Sequence, residues 1–162
     1  MKMLTRIVQA NPPALLELSF CELGMTSDQG QRLLSSLISS EIVTLKKLDL
    51  SKNPTWSTGS LSSYTEMLAR LIAHQSDGLE TINLSYNNIL GGVAAVLIST
   101  MRLSVTIRTL SLIKLKAVNW DDQEAQRELA QLIAEAPKLH TCDISWGTGS
   151  QIMYIDRHRK IG

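Results

Sequence analysis

Five stretches of this chain are variations on one eleven-residue pattern, and that repetition limits the folds open to it more than any other feature. They are residues 15–25 (LLELSFCELGM), 45–55 (LKKLDLSKNPT), 79–89 (LETINLSYNNI), 107–117 (IRTLSLIKLKA) and 139–149 (LHTCDISWGTG). Their starts are 30, 34, 28 and 32 residues apart. In each, an apolar side chain fills the first, fourth and sixth places, as Leu45, Leu48 and Leu50 do in the second. Places two apart in a strand point the same way, so each stretch reads as a very short strand with one buried face. The intervening returns read as helices. Leu33, Leu34, Leu37 and Ile38 form one stripe, and so do Leu61, Tyr64, Leu68, Leu71 and Ile72. Ala94, Leu97, Ile98 and Met101 form a third, and Ala125, Leu129, Leu132, Ile133 and Ala136 a fourth. These have the spacing of a helix with one apolar side. Asp121 and Glu124 have capping-box spacing for the last helix, and Pro137 closes it. Strands separated by helical returns stack in parallel.

The pattern resembles the leucine-rich-repeat family, L-x-x-L-x-L-x-x-N-x-L, most closely in the second and third stretches, where Asn53 and Asn87 hold the asparagine place. The repeat length and full helix are similar to the ribonuclease-inhibitor-like branch. That resemblance implies an α/β fold: a right-handed β/α solenoid, a short horseshoe with a parallel concave sheet and convex helices. All 162 residues form one domain, with 1–14 as an N-terminal cap, repeats over 15–146 and 147–162 as a C-terminal cap or tail. The asparagine place holds Leu23, Leu115 and Gly147 in the other repeats. In the family that asparagine satisfies backbone groups, so the bends after repeats one, four and five are expected to differ in geometry.

Little in the chain suggests chemistry. His74, His140 and His158 show no ligand spacing with Cys, Asp or Glu, so no metal is expected. Gly91–Gly92 belong to no phosphate-loop motif and read as a turn into the third helix, and no cofactor is expected. Cys142 takes a core place, whereas Cys21 is expected to face outward as the reactive thiol. Four strand steps put them roughly 19 Å apart, too far for a disulfide. Asp49 and Asp143 are about 14 Å apart, beyond the reach of an acid/base pair. No enzyme is expected. Sixteen basic and fifteen acidic residues leave a charge of +1, which argues for no nucleic acid and no membrane as partner. The first residues lack the apolar run of a signal peptide, and a cytoplasmic monomer is the expectation.

What remains is the outward face. Stacking lines up Glu17, Lys47, Thr81, Thr109 and Thr141 at the third place, and Ser19, Asp49, Asn83, Ser111 and Asp143 at the fifth. The seventh place, also expected to face outward, reads Cys21, Ser51, Ser85, Ile113 and Ser145, and the eighth Glu22, Lys52, Tyr86, Lys114 and Trp146. Aromatic and cationic groups favour binding hot spots. The candidate partner-binding residues are therefore Lys47, Asp49, Lys52, Asn83, Tyr86, Lys114, Asp143 and Trp146. Trp146 has an equally weighted alternative as packing under a C-terminal cap. Trp56 and Trp120 read as loop anchors, and the basic run 157–160 as a solvated tail. The expected function is a protein–protein interaction module: adaptor, scaffold or inhibitor. Three alternatives accompany it. One is a small-GTPase regulator using Asn87, Asn88 and Arg108. The second is an actin-binding repeat domain, since five repeats are also similar in size to the actin-capping tropomodulin repeat domain. The third is a bacterial effector acting on a host protein in its cytosol.

Overall fold

A strand of three residues has room for one inward side chain, and every repeat spends it on the core. The computed structural model describes residues 15–39, 45–53, 61–74, 78–87, 91–102, 104–112, 123–146 and 149–154. Its strands are β1 (Glu17–Ser19), β2 (Lys47–Asp49), β3 (Thr81–Asn83), β4 (Thr109–Leu112), β5 (Thr141–Trp146) and β6 (Gly149–Tyr154). The returns carry α1 (Ser27–Ser39), α2 (Leu61–His74), α3 (Gly91–Arg102) and α4 (Gln123–Glu135). β1 to β5 lie parallel in chain order in one sheet, and β6 closes it antiparallel to β5.

The register follows the repeat. Leu18, Leu48, Ile82, Leu110 and Cys142 are mutual neighbours along one row across β1 to β5. All but Leu18 are buried, and Leu18 packs half-buried against the same core. The first-place residues Leu45, Leu79, Ile107 and Leu139 and the sixth-place residues Phe20, Leu50, Leu84 and Leu112 are buried beside them. Each full aliphatic burial contributes about 1.5–3 kcal/mol. Leu33, Leu34 and Leu37 of α1, Leu68, Leu71 and Ile72 of α2, Leu97, Ile98 and Met101 of α3 and Leu129 and Leu132 of α4 close the core. Successive helices pack on one another. Arg102 at the end of α3 reaches Gln131, Glu128 (3.9 Å) and Glu135 (3.5 Å) on α4.

A capping box opens α1. Gln29 N–H donates to Thr26 Oγ1 (3.3 Å), and Thr26 N–H donates to Gln29 Oε1 (3.0 Å). The pair expected at Asp121 lies outside the described residues, as do 1–14, Trp56, Trp120 and the basic run 157–160.

The bends after β1, β2 and β3 pass through left-handed residues: Glu22 (φ 58°), Lys52 (φ 56°) and Tyr86 (φ 61°). The first bend, lacking its own asparagine, shares the left-handed step of the next two at Glu22 and adds another at Gly24 (φ 57°). Asn53 of the following repeat serves it, accepting from Leu23 N–H (3.2 Å) and Met25 N–H (3.3 Å). Asn53 Nδ2 also donates to the carbonyls of Phe20, Leu50 and Ser51. Asn87 in turn accepts from Asn53 N–H (2.9 Å) and donates to Leu50 and Leu84 carbonyls. The bends after β4 and β5 hold residues outside the described set. Against expectation, the seventh place does not face outward at Ser51 and Ser85, and Cys21 at the same place is half-buried. Ser51 and Ser85 are each 4% exposed. The chain is already curling inward there, so strand alternation no longer applies.

Candidate functional site

The outer face is built from the third and fifth places, which flank the buried row. Glu17 and Lys47 are exposed neighbours across β1 and β2, joined at 2.5 Å. Thr81, Thr109 and Thr141 continue that row, half-buried. The fifth place is partly occupied with local work. Asp49 Oδ1 accepts from Ser51 N–H (2.9 Å), and Asn83 Oδ1 accepts from Ser85 N–H (3.1 Å). These side chains start the turn that the left-handed residue completes. Ser111 Oγ donates to Asp143 Oδ2 (3.0 Å).

Beyond the sheet, the eighth-place residues form a rim. Lys52 Nζ meets Glu22 Oε2 at 3.1 Å, and that hydrogen bond, with the glutamate charge, raises the lysine pKa. Tyr86 follows at 43% exposure. A left-handed non-glycine residue costs local energy, so the buried asparagines beneath hold this rim in place. Trp146 ends β5 opposite Gly149, and Lys114 lies outside the described residues. The structure therefore gathers Lys47, Asp49, Lys52, Asn83 and Tyr86 on neighbouring rungs β2 and β3, with Asp143 two rungs further on β5.

A second rim at the other end of the strands escaped the sequence reading. Glu80 stands between Lys46 (3.4 Å) and Arg108 (3.5 Å), joining three rungs by their second-place residues. Its signal was present as opposite charges at one repeat place. Arg108 thus sits before β4, whereas Asn87 lies after β3, at the opposite end of the parallel sheet. Asn87 is 1% exposed, and its amide is bonded to two carbonyls. The shared edge required by the GTPase-regulator alternative does not exist for Asn87 and Arg108, and Asn88 lies outside the described residues.

Cys21 is half-buried and accepts a hydrogen bond from Ser51 Oγ (3.3 Å). Cys142 is buried, and burial pushes its thiol up to about 12. Among the described residues no group of three or more His, Cys, Asp or Glu is placed to hold a metal ion. Among them no helix is long and apolar enough to cross a membrane.

No family model matches the chain, and no curated protein matches its sequence. Solved structures share its fold. The tropomodulin C-terminal domain of Caenorhabditis elegans superposes with a TM-score of 0.72 at 15% identity, covering 91% of this chain and 83% of that one. Actin-binding site 2 of leiomodin-1 gives 0.67 at 14% identity, covering 89% and 78%. At these identities the likeness shows the fold alone: a mixed α/β unit with five parallel strands in one sheet.

Proposed function

We propose that this chain is a protein-binding module that does no chemistry of its own, built as a right-handed curved array of the ribonuclease-inhibitor-like kind. The partner docks on the outer sheet face and the eighth-place rim, through Lys47, Asp49, Lys52, Asn83, Tyr86, Lys114, Asp143 and Trp146. One observation carries the reading. Tyr86 is held 43% exposed, on a left-handed residue, above a fully committed buried asparagine. A fixed, exposed tyrosine offers large contact area at low entropic cost, which is what binding hot spots use. The polar, hydrogen-bonded face beside it supplies a rim suited to a protein surface.

Actin is the first partner to try, because leiomodin-1 actin-binding site 2 shares the fold. The purified chain is titrated against actin monomers and filaments, and a cell lysate is sampled in parallel. Tyr86→Ala is expected to weaken capture of the specific partner at least about tenfold, the loss of one hot spot, with an unchanged circular dichroism spectrum. Equal recovery by wild type, Tyr86→Ala and Trp146→Ala would show that this face is not the one used. Failure of actin alone to bind removes that partner and leaves the face to be tested on the lysate proteins.

A further inference from the structure

The two ends of the strands carry charge differently. At the eighth-place end Lys52 meets Glu22 one to one, in a hydrogen bond of 3.1 Å. At the second-place end one carboxylate serves two cations. Glu80 Oε1 lies 3.4 Å from Lys46 Nζ, and its Oε2 lies 3.5 Å from Arg108 Nε. Charge-assisted hydrogen bonds run at about 2.7–2.9 Å, so neither cation is closely bound and the trio keeps one positive charge. Among the described residues no second carboxylate pairs with either cation. The backbone fixes their spacing. Lys46 C=O accepts from Glu80 N–H (2.8 Å), and Glu80 C=O accepts from Arg108 N–H (2.8 Å), so the three stand on successive rungs. Two rung steps set the cations roughly 10 Å apart at the backbone. Lys138, exposed ahead of β5, brings a further cation to the same end. Two exposed apolar side chains are here as well: Leu16, one rung before Lys46, and Val105, in the approach to Arg108.

We propose that this end of the sheet is a second docking surface, taken by an acidic segment of another protein whose carboxylates settle on Lys46 and Arg108. Arg108 offers a carboxylate a planar fork of donors, and Lys46 a mobile point charge. Exposed ion pairs contribute little, so turning these cations from Glu80 to incoming carboxylates costs little. Leu16 and Val105 give the same segment apolar contacts. A nucleic acid fits worse. Glu80 stands between the cations and repels a continuous run of phosphates, whereas the carboxylates of a peptide can be spaced to either side of it. A chain charge of +1 also supplies no long-range attraction for a polyanion. The surface lies at the opposite end of the strands from Tyr86, so it goes beyond the reading above and does not depend on it.

Fluorescence anisotropy on the full chain at low ionic strength tests it, with labelled oligoglutamate bearing a leucine at each end as the probe. Saturable binding is expected. Lys46→Glu with Arg108→Glu is expected to weaken it at least about tenfold, as two attractions become two repulsions. Glu80→Gln frees both cations and is expected to tighten binding about threefold, a gain that a misfolded variant cannot give. Glu22→Gln makes the same change of net charge at the other end of the strands and is expected to give no such gain. Tyr86→Ala is expected to leave the affinity unchanged, and labelled oligothymidylate to bind more weakly than the peptide. An oligoglutamate that does not bind, a charge-reversed variant that binds as well as wild type, or a gain from Glu22→Gln as large as that from Glu80→Gln would each overturn the proposal. So would a loss with Tyr86→Ala or tighter binding of oligothymidylate.

Discussion

The β1–β3 end of the molecule and the β4–β6 end keep the same register by different means. At the first, strands are three residues long and the bends do the holding. Asn53 and Asn87, both essentially fully buried, pass hydrogen bonds from rung to rung. At the second, strands lengthen to four and six residues, and an antiparallel strand completes the sheet. There Arg102 joins two helices through Glu128 and Glu135, and Ser111 bonds to Asp143 on the outer face. A repeat that loses its asparagine can thus keep the left-handed step at its eighth place when its neighbour reaches over. Among the described residues of the second end, backbone pairing over longer strands holds the sheet.

If the first end depends on its asparagines, Asn53→Leu should carry the largest cost. It strands several buried backbone groups at about 1–3 kcal/mol each, so about 5 kcal/mol is expected by chemical denaturation. Asn87→Leu strands three backbone groups among the described residues, Asn53 N–H and the Leu50 and Leu84 carbonyls, and should cost about 3 kcal/mol or more. Costs below about 1 kcal/mol for both would dissolve the distinction between the two ends. Leu84→Ala, in the core shared by both, should cost about 3 kcal/mol, with a range of about 2–5. A much smaller loss would mean the aliphatic rows do not form one interior.

Cys142 probes the second end by pH. Cys142 in β5 has its folded pKa raised to about 12 by burial, from 9.0 when unfolded. Between these values the unfolded chain has released a proton that the folded chain keeps, so stability falls as pH rises from 9.0 towards 12. This contribution to the slope is at most about 1.4 kcal/mol per pH unit, and Cys142→Ala should remove it. An unchanged slope in that variant would place the thiol in water. The smallest effect belongs to the rim. Tyr86→Gly relieves a positive φ while removing an exposed side chain, and stability should stay within about 1 kcal/mol of wild type. A large loss would make Tyr86 a packing residue.

The strand rows were legible because apolar side chains recur at places one, four and six, and burial along a parallel sheet demands that order. The helical stripes were legible for the same reason, as Leu33, Leu34 and Leu37 show. The bends were not. A leucine at position 23 reads as a lost function until the coordinates show Asn53 supplying it from the next repeat. Ser51 and Ser85 read as outward because alternation was extended past the end of the strand, where the backbone has already turned. The capping box at Thr26 and Gln29 was missed, although its spacing is visible in TSDQ. On the outer face, sequence supplied the residue types. It did not show that Asp49 and Asn83 accept from backbone amides of their own turns, or that Glu80 is shared by Lys46 and Arg108.

The reach of Asn53 back to Leu23 and Met25 gives the molecule a direction. The opening coil cannot finish its corner until the one made after it is in position, so a ribosome emitting this chain delivers the keystone later than the stone it secures. Damage should spread the same way, from the second coil to the first more readily than in reverse.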